Sequence, residues 1–100
     1  MPDLTVISWR DIPAQVVGGS GRGAVKAPLS ERFQEAIDAA ATRAGLTGTD
    51  AYLEQWRRAS RPCDGDLAGA VVAEAARLEA AFPPERLARL AAAGGVEGDA

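Results

Sequence analysis

The sequence predicts a small α+β domain: a mainly antiparallel sheet of three or four strands with helices packed on one face. Two observations carry that expectation. β-branched and aromatic residues with partial alternation gather in the first 27 positions, and from position 30 onward apolar residues recur at helical spacing instead. Residues 1–95 make up the expected domain, and 96–100 an expected flexible tail beyond Gly94-Gly95.

Leu4 to Trp9 reads as the first strand, with Leu4 and Val6 on one face and Thr5, Ile7 and Trp9 on the other. Pro13 punctuates it, and Ala14 to Val17 resumes as a second strand. The glycine-rich run Gly18 to Gly23 supplies the positive φ angles of a hairpin loop, and Ala24 to Ala27 returns as a third short strand. Ser30 caps a helix over 30–44, with Phe33, Ile37, Ala40 and Ala41 inward and Gly45-Leu46 as its stop. Thr47 and Asp50 are spaced as a capping box for a second helical start. Residues 52–61 fit either a helix or an exposed strand; one helical turn followed by a strand is the expectation, with Leu53 and Trp56 counted among the core residues. Pro62 to Gly65 forms a loop. Asp66 then caps a helix to Phe82 whose stripe is Leu67, Val71, Ala75, Leu78 and Phe82, with Glu74 and Arg77 toward solvent. Pro84 opens a last helix to about Ala93, with Leu87 and Leu90 inward.

Composition excludes several chemistries. With His 0 and Cys 1, the commonest general base and the usual zinc and iron–sulfur ligand sets are missing, so no metal and no cofactor are expected. Cys63 lacks a histidine base or a second cysteine to make it a nucleophile or redox centre. The carboxylates are scattered, and no spacing singles out an acid–base pair, so no catalytic residue is assigned. A net charge of −3 argues against a nucleic-acid partner. No stretch is apolar enough to span a membrane, and Met1-Pro2-Asp3 opens no secretory signal, so the cytoplasm is the expected compartment. The glycine run is not followed by Lys-Ser/Thr and does not lead from strand to helix, so it fits neither a P-loop nor a dinucleotide fingerprint.

Two runs stand out as candidate contacts. In the first, Trp9, Arg10 and Asp11 precede Ile12-Pro13; tryptophan and arginine often anchor interfaces, although a core tryptophan beside a surface Arg–Asp pair reads equally well. In the second, Trp56, Arg57, Arg58 and Arg61 concentrate positive charge in an acidic chain. Such a patch suits a phosphate or carboxylate, or pairs with the chain's own acids.

Taken together, Trp9-Arg10-Asp11-Ile12-Pro13-Ala14-Gln15-Val16, Ser30-Glu31-Arg32-Phe33-Gln34 with Ala36-Ile37-Asp38, Gly48-Thr49-Asp50-Ala51-Tyr52-Leu53 and Trp56-Arg57-Arg58 resemble the small bacterial virulence factor family over about residues 4–90. That domain also resembles a segment of conserved virulence factor C of Gram-positive bacteria. The family name records a phenotype and implies no toxin. The resemblance implies a non-catalytic accessory or protein-interaction module. Its implied partner is a methyl-transfer enzyme or corrinoid protein of folate-linked one-carbon metabolism. The alternative is a small-molecule or anion-binding subunit that uses the same arginines.

Overall fold

The computed structural model describes residues 3–19, 21–48, 50–63 and 65–96. Strands β1 (Asp3–Trp9), β2 (Ile12–Gly18), β3 (Val25–Pro28) and β4 (Trp56–Pro62) form one sheet in the order β3-β2-β1-β4. Every neighbouring pair is antiparallel. Helices α1 (Glu31–Arg43), α2 (Asp50–Glu54), α3 (Leu67–Ala81) and α4 (Pro84–Ala92) complete the α+β architecture. The expected turn-then-strand at residues 52–61 is what forms, as α2 followed by β4. No helix among the described residues is long and apolar enough to cross a membrane.

Pro13 does not interrupt the second strand, as the sequence reading expected; it lies inside β2 opposite Ser8. Two features accommodate it. The register shifts beside it, between Ile7 and Ser8, and β3 pairs only with Gln15 to Gly18, so Pro13 has no ladder partner on that side. The turn is Arg10-Asp11, a two-residue hairpin loop in which Arg10 takes φ 52°.

Register puts Leu4, Val6 and Ser8 on one face with Val16, Gly18, Val25 and Ala27, and with Arg57, Ala59 and Arg61 of β4. Helix α3 lies across the β2–β3 side of this face. A Cβ on Gly18 would sit 2.6 Å from Val71 Cγ2 and 2.9 Å from Leu67 Cγ, so glycine sets how closely α3 approaches β2. Gly18→Ala should therefore overpack this contact and cost about 1–2 kcal/mol in a urea unfolding titration. Leu4, Val16, Cys63, Val71 and Leu78 form the core beneath α3. A second core joins Trp9 and Ile12 at the hairpin end to Phe33 and Ile37 of α1 and Leu87 and Leu90 of α4.

The helix ends follow backbone chemistry. Gly45 (φ 73°) and Leu46 close α1 in a Schellman motif, with Leu46 N–H on Ala41 O at 2.9 Å and Gly45 N–H on Thr42 O at 3.1 Å. Gly94 and Gly95 close α4 in the same way. Ser30 holds the N-cap position of α1, but its hydroxyl does not cap the helix. Its N–H and Oγ donate to Glu79 of α3 at 2.7 and 2.9 Å. The box of Thr47 with Asp50 does not form either: α2 begins at Asp50, which leaves Thr47 upstream with its hydroxyl 3.3 Å from that of Thr42. Leu53 is exposed, not in the core. The expected tail falls, beyond Val96, outside the described residues.

Candidate functional site: an arginine-lined trough

Helix α3 stops short of β4, and the sheet between them stays open. An open hollow of about 570 Å³ is bordered by Val6, Ser8, Arg10, Asp11, Arg57, Arg58, Ala59 and Arg86. A second of about 230 Å³ shares Val6 and Ala59 with it and adds Arg61, Glu74 and Arg77. The two make one trough. Its floor is small and partly apolar, because Val6 and Ala59 face each other across β1 and β4. Its walls are guanidinium groups from β4 on one side and from α3 and α4 on the other.

Strand alternation explains how the β4 arginines are shared out. Arg57 and Arg61 flank Ala59 on the trough face, whereas Arg58 pairs with Ile7 and so belongs to the opposite face, from which it reaches the rim. Arg57 stands 3.6 Å from Asp11, and both side chains are substantially exposed, so the pair contributes little to stability. Arg61 reaches Glu74 at 3.3 Å.

Glu74 corrects the sequence reading, which turned it to solvent. Its side chain is 5% exposed, and Arg77 grips both carboxylate oxygens. Those bonds from Arg77 hold the carboxyl below its ordinary value against the opposing push of burial, and the charges of Arg77 and Arg61 add to the lowering. The signal was present in the spacing: position 74 lies three residues after Val71 and four before Leu78, on the same helical stripe. Arg77 and Arg86 are the trough arginines that sequence reasoning did not select.

The first run divides differently. Trp9 is 0% exposed and sits in the core, so it offers no contact surface. Its indole N–H donates to Tyr52 O at 2.9 Å. Arg10 is a clamp. Its N–H donates to Gln55 O (3.1 Å), its Nε to Gln55 Oε1 (3.1 Å) and its Nη1 to Gly94 O (3.0 Å), while its guanidinium lies 5.2 Å from the Trp9 ring centre. These bonds offset the strain of a positive φ at a non-glycine residue. Trp56 is half-buried, edge-on to Tyr52. Of the candidate contacts, then, Arg57, Arg58 and Arg61 border the trough with Arg10 and Asp11, while Trp9 lies in the core and Trp56 packs against it.

Cys63 is buried among apolar neighbours beneath α3. Among the described residues, no three His, Cys, Asp or Glu side chains gather as metal ligands would. Guanidinium groups keep their charge at ordinary pH and so supply no general base. In general they bond carboxylate or phosphate through forked hydrogen bonds.

A family model described as virulence factor matches residues 7–91. No curated protein and no solved structure matches the chain significantly.

Proposed function

We infer from this geometry a role for the chain, which belongs to the virulence factor family: it is a non-catalytic interaction module that holds an acidic partner in the arginine trough. One observation carries the reading. Six of the chain's 11 basic residues border one trough in a protein of net charge −3. Among the described residues that border it, Asp11 and Glu74 oppose them. Concentrating one sign of charge against the net charge of the molecule steers a complementary partner and orients it on arrival.

The test is capture of partners by the tagged protein from its native host, followed by mass spectrometry. The Arg57→Glu/Arg58→Glu double variant should lose its partner about tenfold or more. Both residues are exposed, so its unfolding free energy should stay within about 0.5 kcal/mol per site. Equal recovery of the same proteins by the double variant would sink the reading. The resemblance to accessory proteins of one-carbon metabolism makes a methyl-transfer enzyme or corrinoid protein the partner to look for first.

The volume of the larger hollow favours a second reading, because about 570 Å³ lies in the range of small-molecule sites. In that case the purified protein alone binds a folate or another small anion in calorimetry, and the same double variant abolishes the heat.

A further inference from the structure

Strand β4 is an edge of the sheet. β1 runs along one side of it, and among the described residues no strand runs along the other. Residues Arg57 to Pro62 are exposed throughout. The direction of its main-chain groups follows from two bonds. Arg10 N–H reaches Gln55 O, so position 55 turns inward toward the hairpin, and by alternation Arg57, Ala59 and Arg61 also bond to β1. From the other side of β1, Gly19 N–H reaches Asp3 O, which leaves Leu4, Val6 and Ser8 to bond outward to Arg61, Ala59 and Arg57, their register partners. Both bonds give the same parity. The N–H and C=O groups of Trp56, Arg58 and Ser60, with the carbonyl of Pro62, therefore face away from the sheet without a strand to meet them.

We propose that β4 receives an acidic extended segment of a partner protein as a fifth strand. This rests on the reading of the chain as an acidic-partner module and specifies how the partner docks. Main-chain bonds to Trp56, Arg58 and Ser60 supply the pairing, and carboxylates on the added strand meet Arg57 on the trough face and Arg58 on the other. Ala59, flanked by Arg57 and Arg61, leaves room above the trough floor for one incoming side chain. Charge selects the occupant. A second copy pairing antiparallel about Ala59 would set Arg57 against Arg61, twice, and like charges placed directly opposite destabilise a ladder. The arginines that keep β4 from its own kind are the groups an acidic strand would satisfy.

The experiment uses the whole protein and a panel of capped seven-residue peptides of Val, Thr and Glu as probes, with amide hydrogen exchange as the readout. Binding should slow exchange at the Arg58 and Ser60 amides about tenfold or more, and leave Arg57, Ala59 and Arg61, already bonded to β1, little changed. N-methylating one alternate set of peptide amides should weaken binding about tenfold, and methylating the other set should not. Ser60→Pro removes an outward donor, keeps every charge, and should lose peptide binding to the same degree. Protection without this alternation, or indifference to both methylated sets, overturns strand addition. So does failure of every peptide to bind at about 1 mM. If the edge proposal fails in any of these ways while Arg57→Glu/Arg58→Glu still loses the captured partner, the acidic-partner reading stands and the partner docks through side chains alone.

Discussion

Trp9→Ala is expected to remove a large share of the domain's stability. Trp9 is the largest of the fully buried side chains. Truncating a buried tryptophan costs about 3–5 kcal/mol. A domain of this size has only about 5–15 kcal/mol in total. Several structural ties depend on this one ring. The indole tethers α2 through Tyr52 O, and its face carries the Arg10 guanidinium, which in turn bonds Gln55 and Gly94. Its edge packs so tightly on the end of α4 that a Cβ at Gly95 would lie 2.8 Å from Trp9 Cζ3. Urea unfolding should show the midpoint collapsing, with hairpin, α2 and α4 lost together. Trp9→Phe keeps much of the ring and loses the bond to Tyr52, so it should cost about 1–2 kcal/mol and leave partner capture unchanged. A Trp9→Phe variant of normal stability that captures less partner would instead return Trp9 to the list of contacts.

How much of this could be read beforehand depended on whether the information was local. The strand over residues 4–9, the stop at Gly45-Leu46 and the proline that opens α4 are written in short runs, because alternation, positive φ and a missing N–H act within a few residues. Pro13 misled because its tolerance depends on where β3 ends, a fact of the sheet and not of the strand. Ser30 was correctly placed at a helix start, but its hydroxyl is claimed by Glu79, 49 residues away. The arginines of β4 were visible as a cluster. The strand expected there already sets Arg57 and Arg61 on one face and Arg58 on the other, as the register of β4 has them. Arg77 and Arg86 joined them through the packing of α3 and α4, which no local pattern records.

Glu74→Ala should cost about 2–3 kcal/mol at neutral pH, because it removes the acceptor for three charged hydrogen bonds on a nearly buried position. Glu74→Leu is the informative companion. It keeps side-chain volume beside Leu4 and Val6, which border the same hollow, and returns two well-exposed arginines to water instead of stranding a buried charge. Replacing a buried charged group by an apolar one of similar size is often close to neutral. The pH dependence separates the variants from the wild type. In the folded protein the Glu74 carboxyl titrates below its ordinary value of 4.5, so folding favours the ionised form. Its stabilisation is complete above the unfolded value and is lost as pH falls through the lowered folded value. The wild type should therefore lose more stability than either variant on acidification from about pH 6 to about pH 3, and the gap between wild type and Glu74→Ala should narrow over that range. A gap that stays constant with pH would show that Glu74 acts through packing and not through its charge. The trough gives the contrast a functional reading as well. Without Glu74, Arg61 and Arg77 are released from their internal acid, so Glu74→Leu should capture an acidic partner at least as well as the wild type. Weaker capture by a stable Glu74→Leu variant would mean that the carboxylate is needed to hold those guanidinium groups in place for the partner.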